Sequence, residues 1–139
     1  MATPYEKIYG RFLNSVTDFN LAELDDHTLS EMMKDWLYKA VVRARTSSDL
    51  SRDEEAEAFN NDLSDLDVEL LALGMKLVWL DQTLASTELT LQFVGGKEEK
   101  WFSQAAHIAE LRGLREDTKL EMQKLHSYNT YINSSYFND

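Results

Sequence analysis

Apolar residues recur at intervals of three and four along most of this chain, the period of a helix with one buried face. Tyr5, Ile8, Tyr9, Phe12, Leu13 and Val16 form the first such stripe and predict a helix from about Pro4 to Thr17. Thr3 is placed to cap it, Pro4 suits the first helical position and Glu6 can close a capping box. Asn20 to His27 is acidic and unpatterned, which reads as a connection. Thr28 with Glu31 repeats the capping signal. Leu29, Met32, Met33, Trp36, Leu37, Ala40, Val41 and Ala44 then predict a second helix ending near Thr46.

Ser47 to Asn61 is polar and acidic, with Leu50 and Phe59 as its candidate anchors. The run Asn60-Asn61-Asp62 reads as a turn; the segment has room for a short hairpin, but nothing alternates clearly enough to require one. Ser64 with Asp67 opens a third helix, expected to reach about Ala85. Its apolar residues, from Leu66 to Leu84, face nearly every direction, which places it in the middle of a bundle. Gly74 in its interior costs about 1 kcal/mol in helix propensity, and a close helix crossing there accounts for it. Leu89 to Val94 is open to two readings, a strand or a further helical turn. Thr90, Phe93 and Val94 favour the strand. After the break at Gly95-Gly96, Lys97 to about Ser127 predicts one long helix with Trp101, Phe102, Ala105, Ile108, Leu111, Leu114, Met122 and Leu125 on its apolar side. From Tyr128 onward the helical period is lost. The expected architecture is all-α: a small helical bundle over 1–127 with a long C-terminal helix, and an extended C-terminal arm over 128–139.

Charge changes this picture in one segment. The net charge is −11, and much of it lies between Asp49 and Glu69, where Asp49, Asp53, Glu54, Glu55, Glu57, Asp62, Asp65, Asp67 and Glu69 face the single base Arg52. That segment reads either as a solvated loop or as a surface that repels DNA or meets a basic partner. Phosphate backbones demand clustered Lys and Arg, and no such cluster exists, so no affinity for nucleic acid is expected. The opening residues Met1 to Glu6 lack the basic and apolar regions of a signal peptide. No run approaches the length needed to span a bilayer, so no membrane partner is expected.

The residues that carry chemistry are sparse. The chain has no Cys, which excludes disulfides and thiolate metal sites. His27, His107 and His126 share no close metal-pair spacing, and Asp49, Asp53 and Asp62 do not match a calcium loop. Gly95-Gly96-Lys97 lacks the flanking pattern of a phosphate loop. Trp36, Trp79 and Trp101 read as core residues. We therefore expect no catalytic residue, no metal and no cofactor. The arm is different: Tyr128, Tyr131, Ile132, Tyr136 and Phe137 are the pattern of anchors that fill grooves on a partner.

At the level of whole-chain layout, the sequence resembles the head–tail adaptor (connector, head-completion or neck) proteins of tailed bacteriophages. The resemblance rests on the small helical size, the apolar helix from Asp67 to Leu80, the helix from Ser103 to Asp117 and the aromatic tail after Tyr128. The stretch from Leu89 to the C-terminus resembles virion-neck proteins of phages that infect Gram-positive bacteria. The resemblance implies a homo-oligomeric ring, dodecameric, docked on the portal protein and meeting a tail-side neck protein. The chain would be made in the host bacterial cytoplasm and reside in the neck of the virion. The arm residues Tyr128, Tyr131, Ile132, Tyr136 and Phe137 would grip the portal. Asp49, Asp53, Glu54, Glu55 and Glu57 would face the channel, so that DNA passes without specific binding. The long last helix and the extended acidic segment depart from many adaptors. The alternative from a different class is a small regulatory or assembly-chaperone bundle that binds another protein.

Overall fold

The computed structural model describes residues 2–16, 25–44, 49–94 and 98–132, with only the backbone described for Ala44, 90–94, 98–104 and 128–132. In chain order it forms β1 (Thr3–Pro4), α1 (Tyr5–Ser15), α2 (Asp26–Ala44), β2 (Arg52–Asp53), β3 (Ala58–Phe59), α3 (Asp65–Val94) and α4 (Glu98–Ile132). The fold is a small all-α bundle. Its central element is α3, against which α1, α2 and α4 all pack. That position explains why α3 is apolar on every side. Val68, Leu70, Leu71, Leu73, Met75, Leu77, Val78, Trp79 and Leu80 are all buried.

Gly74 sits where α2 crosses. A Cβ on it would lie 3.0 Å from the Ala40 Cβ and 3.4 Å from the Ala40 Cα, so the missing side chain lets the two backbones approach. On the other side, α4 runs antiparallel to α3: Arg112 pairs with Glu88, Arg115 with Asp81, and Met122 packs with Leu73 and Leu77. Thr118 belongs to the buried face of α4. Its hydroxyl donates to the Leu114 carbonyl at 2.7 Å, which removes the cost of burying it.

The N-terminal cap is built differently from the sequence expectation. Thr3 does not cap α1; it lies in β1, which pairs antiparallel with β3. The Tyr5 N–H, one of the helix's free donors, instead reaches the Glu57 carbonyl at 2.9 Å. The buried Thr3 hydroxyl donates to the Asn61 carbonyl at 2.9 Å and accepts from the Leu63 N–H at 2.8 Å. Thr3→Val keeps the shape but strips Leu63 of its acceptor. We expect a loss of about 1–3 kcal/mol by urea denaturation, and an unchanged midpoint would remove Thr3 as the tie between the N-terminus and α3.

Other boundaries also moved. The second helix starts at Asp26, earlier than Thr28, because the Asp25 carboxylate caps it by accepting from the Thr28 N–H at 2.6 Å. That bond holds the Asp25 carboxyl below its usual range. Ser64 caps the third helix as its sequence suggested, accepting from the Asp67 N–H at 3.2 Å. That helix runs to Val94, well past Ala85, and takes in the segment for which a strand was favoured. Extending an existing helix carries no nucleation cost, and Thr87 folds its hydroxyl onto the Thr83 carbonyl at 2.7 Å. The last helix continues through Ile132, so the backbone of Tyr128 to Ile132 is helical where an extended arm was expected to begin. The rest of the expected arm, 133–139, lies outside the described residues, as do Gly95 and Gly96.

Candidate functional site: the acidic hairpin and the groove beside α4

The acidic segment is not simply a loop. β2 and β3 form a hairpin, and with β1 a three-stranded antiparallel sheet in the order β1-β3-β2. The Asp53 carboxylate accepts from the Glu55 and Ala56 N–H groups at 3.0 and 3.2 Å, which bends the chain into a tight turn. Glu57 closes that turn with φ of 51°. This left-handed conformation is costly for a residue with a Cβ, and the Tyr5 N–H bond to the Glu57 carbonyl helps to hold it.

An aromatic cluster pins the hairpin to the bundle. Phe59 is fully buried with its ring 5.3 Å from that of Tyr5, and Tyr5 meets Tyr38 edge-on at 6.2 Å. Arg52 lies over the Tyr38 ring at 5.1 Å, a cation–π contact that fixes the strand on α2. Burial, then the neighbouring Tyr38 phenol, pushes the Tyr5 hydroxyl up to about 12. Burial, and next the Glu57 charge, raises that of Tyr9. Both phenols therefore stay neutral. Outside this cluster, Asp49, Asp53, Glu54, Glu55 and Glu57 are all exposed. Lys34 approaches Glu57 at 3.6 Å. Three acids of the segment belong instead to α3: Asp65 is exposed, Asp67 is buried, and Glu69 pairs with Arg11 at 3.0 Å.

A second feature lies along α4. Asp81 receives Arg43 of α2 at 2.8 Å and Arg115 of α4 at 2.7 Å. Partly exposed pairs of this kind contribute about 0–1 kcal/mol each, so Asp81 orients the flanking helices more than it stabilises them. Nothing in the periodicity singled it out. The available signal was an acid set directly after Leu80 in an all-apolar helix, a position that calls for cations. Beside this triad a groove of about 420 Å³ runs between α2 and α4, lined by Val42, Arg43, Leu77, Lys119, Met122, Gln123 and His126.

Of the predicted anchors, Tyr128, Tyr131 and Ile132 lie on the last turns of α4, and Tyr136 and Phe137 lie outside the described residues. The antiparallel register brings Ile132 level with the first turn of α3, the turn into which the hairpin leads. His27 lies on the first turn of α2, and His107 and His126 lie on different turns of α4. Among the described residues no group of His, Cys, Asp or Glu is arranged to hold a metal, and no helix is long and apolar enough to cross a membrane. No family model, curated protein or solved structure matches this chain.

Proposed function

We propose that this chain acts by binding other proteins, as a structural head–tail connector of a tailed bacteriophage. In this reading it forms a ring on the portal protein, meets a tail-side neck protein, resides in the virion neck and catalyses nothing. The observation that carries the reading is the seating of α4. This 35-residue helix, ~52 Å long at the usual rise, packs chiefly on α3. Much of its remaining perimeter is exposed, Gly113, Asp117, Leu120 and Lys124 among it. Leu120 is 53% exposed, and a long helix held along one side offers the rest to a neighbour. The exposed acids of the hairpin suit a surface past which DNA slides.

Native mass spectrometry and symmetry analysis, alone and with a portal ring, test the proposal. The expected result is a closed ring of this chain on the portal. Removing Asn133 to Asp139 should leave the helical signal intact and abolish docking. A chain that never associates with a portal ring overturns the connector reading, and a discrete complex with one soluble partner would support a regulatory or chaperone role instead.

A further inference from the structure

Leu77 and Met122 form the floor of the groove between α2 and α4, and Val42 stands at its rim with 80% of its surface exposed. Arg43, Lys119 and His126 line its walls, and among the described residues no acid does. Arg43 is engaged by Asp81, whereas Lys119 has only a loose contact with Glu116 at 3.7 Å, between two well-exposed side chains. In a chain whose net charge is −11, this groove suits a narrow acidic segment that also brings some apolar surface.

The tip of the β2–β3 hairpin is such a segment. Asp53, Glu54, Glu55, Ala56 and Glu57 are all exposed. Asp53 is tied into the turn by the Glu55 and Ala56 N–H groups, and Glu57 leans toward Lys34. Glu54 and Glu55 form no ion pair among the described residues, and Ala56 beside them is small and apolar. The strands behind the tip are already held by buried Phe59 and by Arg52 over Tyr38, so docking it orders little that is not ordered beforehand. The tip does not serve the groove of its own chain. Lys34, beside the hairpin, and Arg43, at the groove, are nine positions apart on α2. At ~3.6 residues per turn that is ~2.5 turns, so they point to opposite sides of the helix.

We propose that the hairpin tip of one copy docks in the groove between α2 and α4 of a second copy, with Glu54 and Glu55 toward Lys119 and Ala56 against Val42. Because the two surfaces face opposite ways, each copy gives its tip to one neighbour and receives that of another, a head-to-tail contact that closes a ring or extends a filament. Exposed ion pairs are weak singly, so the charges steer and orient the tip while burial of Val42 supplies attraction. As the contact between ring subunits, this inference rests on the connector reading. Only the tip is used, and Asp49, Asp62 and Asp65 stay exposed. Sedimentation equilibrium of the full chain tests it. The unaltered chain should associate as its concentration rises. Val42→Glu with Lys119→Glu spoils the groove, and Glu54→Ser with Glu55→Ser spoils the tip; each variant alone should associate at least ten-fold more weakly. Mixed in equal amounts, the two should form pairs that stop at two copies, since each pair joins one intact tip to one intact groove. An unaltered chain that stays monomeric overturns the proposal and gives the groove to some other occupant. Variants that assemble like the unaltered chain, or a mixture that forms no pairs, overturn it as well. Portal binding by the unaltered chain is read separately: its loss sinks the connector reading, whereas a ring that tolerates both variants sinks only this contact.

Discussion

Trp36→Ala destabilises the protein by about 3–5 kcal/mol, measured as the change in urea unfolding free energy at constant m-value. Trp36 is among the largest fully buried side chains and joins three helices. Its ring lies 5.5 Å from that of Phe12 on α1, and its indole N–H donates to the Gln82 side chain on α3 at 2.9 Å. Two effects contribute, and their sizes differ. Gln82 is exposed, so its oxygen turns to water once the indole is gone and little is lost there. The cavity is the larger effect, because α1, α2 and α3 are held apart by their other contacts and cannot close over it. Trp36→Phe retains most of the volume and should cost far less. A loss below about 1 kcal/mol for the alanine variant would show that α1 and α2 do not share the core of α3.

Gly74→Leu loses about 3 kcal/mol or more, for the opposite reason. The first added carbon already stands 3.0 Å from the Ala40 Cβ and 3.4 Å from the Ala40 Cα. A backbone atom cannot step aside as a flexible side chain does, so the larger group must part α2 from α3. Gly74→Ala is the informative comparison. It gains about 1 kcal/mol in helix propensity and meets the same contact, so the two effects offset and little net change is expected. Placing Ala40→Gly on the leucine variant should recover part of the loss. A double-mutant coupling of about 0.5–3 kcal/mol measures the crossing. Additive effects would mean that the two helices do not touch there.

The helices were legible because burial on one face imposes a period, and the stripes from Tyr5 to Val16 and from Leu29 to Ala44 carry it plainly. The centrality of α3 was legible from the lack of any polar face, and the Gly74 crossing from the presence of glycine inside a helix. Leu89 to Val94 was not legible, because local β preference is weaker than continuation of an established helix. The candidate surfaces divide in the same way. The exposed acids of Asp49 to Glu57 could be read as charge, and the groove of Val42, Leu77, Met122 and His126 could not, since its walls come from three helices.

The sequence by itself determined the all-α class, the order of the long helices, the core of α3 and the uneven charge, because each depends on neighbours a few residues away. Only the tertiary structure decided that Thr3 ties β1 to α3, that Arg52 and Phe59 fold the acidic segment into a hairpin, and that Asp81 joins Arg43 to Arg115. Those contacts link residues far apart in the chain. Their energies come from burial and pairing that exist only after the helices have packed, so no local pattern encodes them.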